Sequence, residues 1–435
     1  MEPCFTGISQ NQKVLDKFKD LCREFSFPGD FYTSSDNLTD EAKSKFVALH
    51  LECKSQFEIV GQVQVVRHFY PDVFICLILR EMPGDETINF LKKSGCNFII
   101  SEDDLFITSK LEYLSFETIK CEYLPIKTSE LVFDMIIPFD LYLALPVNGR
   151  FLKILHSGDS LTKDRVSKIQ KENELFVSRK DVINYNNFLK KINPNDPYCR
   201  ARNIYLSLKE SFKDFAFYLL DQNSDYSYEI GKNKINECKK MGMDLVFALG
   251  NVAEPYRVVD QFWLQGFGSL DRIPAITALA GISALNGNLD NLEDILISSL
   301  VQDLGLLMVP YSVNKAIKNN DYTNLSFDEK EYLHHHSISS INLLANKKVP
   351  LTDKMKKIIL NTHELINGKG YPNKPDGGMI PIESQLLNFM QNLDYKSLNR
   401  LGSSKKNIEE EKKALLEGKD FSDHYAFKLY GIIKN

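Results

Sequence analysis

The stretch Asn361 to Pro372, which reads NTHELINGKGYP, combines reactive side chains with a turn that could position them. His363 and Glu364 stand directly before a glycine-rich turn that ends in Gly-Tyr-Pro. Imidazole and carboxylate groups are the side chains with which many hydrolases hold metal ions. The first question is therefore whether this turn carries a working site or only its framework.

The same stretch resembles the motif of the HD-GYP family, HHExxDGxGYP, with Thr362 and Asn367 in place of its first His and its Asp. That family belongs to the HD phosphohydrolases and consists of helical bacterial phosphodiesterases that open cyclic di-GMP with a cluster of metal ions. The resemblance covers roughly residues 265 to 425 and includes the ending EGKDFSDHYAFKLY. It implies an all-α C-terminal domain in which part of the chemistry has changed.

A second segment, ISSLVQDLGLLMVP (Ile297 to Pro310), resembles the family pattern AALLHDIGKIGVP along its whole length. Gln302 replaces the His of the HD pair, whereas Asp303 remains. Leu306 replaces the Lys that would assist the phosphate, so neither a charge nor a donor is left there. Because HD hydrolases must generate a bridging hydroxide between metal ions, each loss removes part of that mechanism.

The other ligands that the resemblance implies are only partly present. The segment EYLHHHSISSINLL supplies one imidazole best with His336, and His363 matches the second His of the paired motif. The last expected Asp falls at Gln391, with Asp394 three residues later, and the choice stays open. The earliest His has no counterpart, because its position falls near Asp271.

By this resemblance the candidate metal ligands are Asp303, His336 and His363, and no catalytic residue is assigned. Two imidazoles and one carboxylate can hold a single Fe(II), Mn(II) or Zn(II) ion and leave coordination positions for water. They cannot readily hold two or three ions. The alternative is that no metal binds and that these side chains close hydrogen bonds inside a remodelled helical core. The number of lost partners favours this alternative.

The Gly-Tyr-Pro turn also has two interpretations. In the family it borders the nucleotide pocket, so the residues implied to bind nucleotide are Gly368, Gly370, Tyr371 and Pro372. A retained Tyr could stack on a guanine. The turn could equally persist as a tertiary latch, because the glycines supply φ freedom and the Tyr-Pro pair fixes the exit. Neither role excludes the other.

Composition is that of an ordinary globular protein. The 435 residues predict two or three domains, and a net charge of -5 argues against a nucleic-acid partner held by its phosphates. Eight cysteines without a C-x-x-C pair indicate neither a zinc knuckle nor a redox motif. We expect a cytoplasmic protein, because no signal peptide and no apolar run of membrane-spanning length occur.

Residues 1–122 are predicted to form an α/β, doubly wound parallel domain. Five apolar runs read as strands: Cys4 to Ser9, Asp30 to Ser34, Phe46 to Leu51, Val73 to Leu79 and Asn97 to Ile100. Their order resembles a receiver domain of the two-component type. The positions of its phosphoacceptor, its acidic pair and its lysine fall on His50, on Ser9 with Gln10, and on Ser101. The domain is therefore receiver-like without phosphoacceptor chemistry. His50 could be a phosphohistidine or a ligand, but a structural role is simpler.

Residues 123–197 are predicted to form a small α/β module, similar to the one that often precedes the helical domain in HD-GYP proteins. One of its predicted strands is Leu131 to Ile137, and no ligand is assigned to it. The segment INPNDP (Ile192 to Pro197) predicts a linker. Residues 198–435 then follow as the HD-GYP-like helical domain. Its predicted helices include Tyr228 to Leu249, Leu292 to Leu307 and Lys354 to Leu365.

We interpret the chain as a bacterial signalling protein with a degenerate HD-GYP domain that is catalytically inactive or impaired. It would act through protein contacts or by sensing cyclic di-GMP. The expected partners are other signalling proteins and cyclic di-GMP, with a homodimer left open. The main alternative is a metal-dependent cyclic di-GMP phosphodiesterase with a single-metal site. A third interpretation is a scaffold that binds no nucleotide.

Overall fold

A computed structural model describes residues 4–39, 44–52, 55–119, 123–126, 131–132, 134–145, 150–169, 175–192, 197–221, 228–262, 269–319, 321–397 and 408–434. The chain divides into two compact units. One comprises residues 1–185 with 220–225, and the other comprises residues 186–219 with 226–435. The three domain boundaries proposed from the sequence remain predictions.

The first unit contains a parallel sheet alternating with helices. Its strands are β1 (Phe5–Ile8), β2 (Gly29–Tyr32), β3 (Phe46–Leu51), β4 (Phe74–Leu79) and β5 (Phe98–Ser101). The helices are α1 (Gln12–Phe25), α2 (Gln56–Phe69), α3 (Asp85–Lys93), α4 (Glu102–Ile107) and α5 (Lys110–Ile119). The strand order is β2-β1-β3-β4-β5, and all four pairings are parallel. The predicted doubly wound α/β domain is confirmed, whereas its resemblance to a receiver stays a prediction.

Continuous apolar sequence explains the central strands. The segments FVALHL of β3 and FICLIL of β4 are almost fully buried, as strands covered on both faces must be. The exception to this apolar character is His50, near the end of β3. It is buried too, at 2% exposed, and its Nδ1 lies 2.8 Å from Oγ of Ser9. A polar pair thus closes the carboxyl edge of the sheet between β1 and β3.

A second, antiparallel sheet follows in the same unit. Its strands are β6 (Tyr123–Ile126), β7 (Leu141–Leu145), β8 (Arg150–Leu155) and β9 (Leu175–Ser178), in the order β6-β9-β7-β8. The helices of this region are α6 (Lys163–Ile169) and α7 (Val182–Ile192).

The strand predicted at Leu131 to Ile137 is wrong for the part that the structure describes, residues 131–132 and 134–137. Only an isolated bridge joins Ile136 to Ser160 there. The amide of Asp134 instead donates to the carbonyl of Leu161 at 2.8 Å, so loop contacts satisfy this backbone.

From Pro197 onward the described chain is helical. Its helices are α8 (Pro197–Leu220), α9 (Tyr228–Leu249), α10 (Pro255–Gln261), α11 (Ile273–Asn286), α12 (Leu292–Val301), α13 (Tyr311–Asn319), α14 (Phe327–Asn346), α15 (Asp353–Leu360), α16 (Ile382–Ser397), α17 (Ile408–Glu417), α18 (Asp420–His424) and α19 (Phe427–Lys434). The predicted all-α C-terminal domain is confirmed. None of the helices in the described residues combines the length and the apolar character needed to cross a bilayer.

Helix α11 forms the centre of this domain. Its sequence IPAITALAGISALN is buried from Ile273 to Ala284, as expected for a helix that is apolar on all sides. It contacts α9, α12 and α16. Because α12 and α16 both pack on α11 and contact each other, the chain that follows α12 lies beside α16, where the candidate site is found.

Two predicted helices are shorter in the structure. The helix predicted from Leu292 to Leu307 ends at Val301, and a 3-10 segment begins at Leu304. The helix predicted from Lys354 to Leu365 ends at Leu360. Both corrections matter for the site, because they place Asp303 and His363 just beyond helix ends.

Candidate metal centre

Asp303 is positioned by a very close approach between two chain segments. Two residues later, Gly305 donates its amide to Oγ of Ser340 on α14 at 2.6 Å. The same hydroxyl donates to the carbonyl of Gln302 at 2.7 Å. A Cβ on Gly305 would lie 2.7 Å from the backbone nitrogen of Ser340 and closer still to the carbonyl oxygen of His336. The absence of a side chain at Gly305 therefore lets Asp303 approach His336.

His336, on α14, is 2% exposed and held in one tautomer. Its Nδ1 lies 2.5 Å from the carbonyl oxygen of Leu333, and a carbonyl can only accept. Nδ1 therefore carries a proton. In the neutral ring, Nε2 then presents a lone pair, 3.3 Å from Oδ1 of Asp303. This is the arrangement by which a backbone carbonyl orients a metal-binding histidine.

His363 lies in the turn that follows α15. Its Nε2 is 3.0 Å from Nε2 of His336 and 3.7 Å from Oδ1 of Asp303. The amide of Tyr371 donates to the carbonyl of His363 at 3.1 Å, and the two rings stack with centroids 4.9 Å apart. His334 also stacks on Tyr371, at 4.6 Å. Tyr371 therefore fixes the plane of His363.

Glu364 holds the Gly-Tyr-Pro turn in place. Its carboxylate is completely buried, and Oε1 accepts the amides of Asn373 at 2.6 Å and Lys374 at 2.9 Å. A Cβ on Gly370 would lie 2.5 Å from Cα of Glu364, so a glycine is required there. Gly368 adopts φ of 72°, the left-handed region that favours glycine. These contacts support the latch interpretation of the turn.

The three candidate ligands could serve one metal ion. Their donor atoms lie 3.0, 3.3 and 3.7 Å from one another. A metal about 2.1 Å from each donor would place neighbouring ligands about 3.0 to 3.4 Å apart, so a small adjustment suffices. Within the described part of the chain, no other three His, Cys, Asp or Glu residues converge in this way. The donor set thus fits one divalent ion.

Electrostatics at the site favour the charged form of the Asp303 carboxylate. Burial alone would raise the pKa of Asp303, but the adjacent rings of His336 and His363 outweigh burial and hold that pKa well below its usual range. Burial lowers the pKa of His363, although Asp303 acts in the opposite direction. Burial also raises the pKa of Tyr371, which keeps its hydroxyl protonated.

The side chains of Gln391 and Asp394 leave α16 towards different partners. Nε2 of Gln391 donates to Oδ2 of Asp303 at 2.8 Å, so Gln391 is the residue of α16 that meets the ligand set. Asp394 instead forms a buried ion pair with Arg272, with Nε of Arg272 3.1 Å from Oδ2. Asp271 lies 3.4 Å from Nζ of Lys209. Neither aspartate is in the three-residue cluster.

Gln302 is not among the converging donors. Its side chain is fully buried, and neither its amide nitrogen nor its amide oxygen has a hydrogen-bond partner among the residues that the structure describes. Leu306, by contrast, lies in the wall of a cavity that opens onto the three ligands. The position where the family pattern has a lysine therefore contributes an apolar surface.

The cavity beside the ligands has a volume of about 380 Å³. Gly370 and Tyr371 line it, whereas Gly368 and Pro372 do not. The remaining lining combines polar and apolar side chains, including Arg272, Ile317, Leu333, Lys369, Asn388, Gln391 and Asp394. The cavity is large enough for a small ligand next to the metal-binding atoms.

Comparison with known proteins identifies this part of the chain. Residues 263–420 match a family model described as HD domain. Residues 263–420 are therefore an HD domain. No curated protein sequence matches the chain. Among solved structures, it is similar to "Bd1817, a HDG"Y"P protein from Bdellovibrio bacteriovorus", at 17% identity over 72% of this chain and 98% of that one, with a TM-score of 0.44. That likeness is too low to transfer a function.

Two features of the site have no clear signal in the sequence. The first is the Arg272–Asp394 ion pair, whose partners are 122 positions apart. The second is the stacking of His334 on Tyr371. His334 and His335 precede His336 directly, and the family motif gives neither of them a role. Periodic patterns of residue types reveal neither contact, because both contacts depend on how distant segments of the chain pack together.

Proposed function

We propose that the HD domain of this chain holds a single divalent ion and serves as a ligand-sensing domain of a signalling protein rather than as an efficient hydrolase. One observation carries this proposal. The amide of Gln391 donates to Oδ2 of Asp303, so only Oδ1 faces the two imidazoles. A carboxylate held in this way is not available to bridge two metal ions.

The surroundings of Asp303 support low hydrolytic activity. When bound, a single divalent ion would lower the pKa of a water ligand and polarise a phosphoryl oxygen. Opening a phosphodiester also needs charge stabilisation on the other phosphoryl oxygens, and each missing electrostatic partner can cost on the order of 3 kcal/mol. Leu306 offers no such charge, and Arg272 is already paired with Asp394.

Cyclic di-GMP is the ligand proposed for the cavity, by the motif resemblance at residues 361–372. Gly370, Tyr371 and the exposed Lys369 lie in the cavity wall. Tyr371 is already stacked on His334 and His363, so its ring faces are engaged by the protein. We therefore propose that Tyr371 contacts a nucleotide through its edge or hydroxyl, not by stacking on guanine.

The second candidate is a cyclic di-GMP phosphodiesterase with one metal ion. The observation in its favour is the ligand set itself, because His336 is oriented by Leu333 and Asp303 is held as a carboxylate. A set prepared in this way could bind an ion that activates water. For the whole chain we propose a cytoplasmic location and signalling proteins as partners, including a second copy of the chain.

The test is to measure binding and hydrolysis of cyclic di-GMP on the same full-length preparation. Protein is incubated with Mn(II) or Fe(II), binding is followed by calorimetry, and products are separated by chromatography. We expect binding with the substrate intact after hours. Turnover that Asp303→Ala abolishes and His335→Ala preserves would replace our proposal with the phosphodiesterase. Failure to bind nucleotide would indicate a scaffold.

A further inference from the structure

We propose that Asp303, His336 and His363 occupy one face of a ferrous ion and leave its other face open to the cavity, where the ion takes an uncharged diatomic ligand such as nitric oxide. This inference rests on the proposed single-metal site and extends it to a class of ligand. Two histidines and one carboxylate with open positions are the donor set typical of mononuclear Fe(II) centres.

The distances place all three donors on the same side of the ion. Donors on opposite sides of an ion would be about 4.2 Å apart, if each lay about 2.1 Å from it. The longest separation here is 3.7 Å, between His363 and Asp303. All three residues also line the cavity of about 380 Å³, so the coordination positions that they leave open face that space.

Gln391 keeps one further position open. A free carboxylate can bind a metal through both oxygens. Here Oδ2 of Asp303 accepts the amide of Gln391 at 2.8 Å, while Oδ1 lies 3.3 Å from Nε2 of His336. The carboxylate is therefore restricted to one donor atom.

The apolar part of the cavity wall favours a neutral ligand on the ion, a position distinct from the one proposed for cyclic di-GMP beside Lys369 and Tyr371. Leu306 and Leu333 belong to a buried apolar cluster, and Ile317 packs against it. All three line the cavity. Arg272, the buried cation of the wall, is neutralised by Asp394, while Lys369 is exposed. A small uncharged molecule enters such a partly apolar space without the desolvation cost of an ion.

The experiment uses full-length protein loaded with Fe(II) without oxygen, with the bound iron quantified before nitric oxide is added. We expect the half-integer-spin resonance of a ferrous nitrosyl complex, with an intensity that matches the bound iron. His336→Ala should lose the signal. The matched variant His335→Ala should keep it, because His335 is exposed and its Nδ1 lies against the carbonyl of Glu331 on its own helix, not against the three donors.

The outcomes separate this inference from the proposed function. If iron binds stoichiometrically but gives no nitrosyl signal, the open coordination face is refuted while the single-metal site stands. A response to azide but not to nitric oxide overturns the ligand class, since it would show that the site selects anions. Protein that retains no iron, manganese or zinc overturns both proposals. A signal that survives in His336→Ala would place the iron elsewhere and also contradict the inference.

Discussion

Gly305 packs against the backbone of α14 so closely that a side chain there would overlap the carbonyl oxygen of His336. Gly305→Ala must therefore push the segment after α12 away from α14. We expect a loss of about 1 to 3 kcal/mol in the free energy of unfolding, measured by urea denaturation, together with weaker metal binding. Unchanged stability and unchanged metal binding would contradict the packing described here.

Gly242→Ala is the matched control for that substitution. Gly242 lies inside α9, and a Cβ there would meet its nearest neighbours at an ordinary 3.8 Å. Alanine favours helix over glycine by up to about 1 kcal/mol, so this variant should be as stable as the natural protein or more stable. The two changes should thus have opposite signs.

The metal content of the purified protein should not exceed one ion per chain. Elemental analysis after incubation with Fe(II), Mn(II) or Zn(II) measures it. His363→Ala and Asp303→Ala should each remove a donor and lower the retained metal, whereas His335→Ala should not. Two tightly bound ions per chain, or a metal content that His363→Ala leaves unchanged, would refute the three-residue site.

Breaking the Arg272–Asp394 pair should destabilise the helical domain strongly. Asp394→Asn leaves a buried guanidinium without its counter-charge, and such losses typically cost about 3 to 5 kcal/mol. Replacing both partners, as in Arg272→Met with Asp394→Leu, should recover much of that stability. Equal losses of stability in the single and the double variant would show that lost packing, not the unpaired charge, causes the destabilisation.

Phosphodonors should leave the first unit unmodified. His50 stands at the receiver-like acceptor position, but it is buried and its Nδ1 meets Ser9. Incubation with acetyl phosphate and magnesium, followed by intact-protein mass spectrometry, should show no added phosphoryl group. A stoichiometric adduct within residues 1 to 120 would disprove this prediction.

His50 should titrate below the usual histidine range. Burial lowers its pKa, and the nearby Glu102 carboxylate, 3.5 Å from Nε2, only partly opposes this. The folded state then binds the proton less readily than the unfolded state. Stability from this residue is complete above about pH 6.5 and is lost as the pH falls from there through the lowered pKa.

The measurement is a histidine-resolved NMR titration of the full chain, with His50→Gln used to assign the signal. Glu102→Gln should move the midpoint further down, because it removes the charge that stabilises the imidazolium. A midpoint above 6.5, or an upward shift in Glu102→Gln, would count against the buried neutral imidazole.

Patterns of residue type were sufficient to predict most of the strands and helices of the fold. The five strands of the parallel sheet lie within two residues of their predicted limits, because continuous apolar runs such as FICLIL leave little choice. Helix α9 begins and ends at the predicted residues, Tyr228 and Leu249. The strand predicted at Leu131 to Ile137 is wrong, since Ile136 near its end is 68% exposed and the backbone bonds to a loop instead. Apolar character alone does not distinguish a strand from such a segment.

The site was predictable only as far as motifs extend. Resemblance to the family brought Asp303, His336 and His363 together, and the structure places their donor atoms within 3.7 Å. It could not choose between Gln391 and Asp394. They lie three positions apart on one helix, and the choice depends on Arg272 taking Asp394 as its partner. Contacts between distant segments decide such questions.

The hydrogen bond between Gln391 and Asp303 also has a consequence for the order of assembly. Asp303, His336 and His363 all precede Gln391 in the chain, and this bond spans 88 positions. During synthesis the three donors therefore leave the ribosome before Gln391 does, while both oxygens of Asp303 are still free. In the proposed single-metal site, the residue that restricts Asp303 to one donor atom is therefore the last of the four to be made.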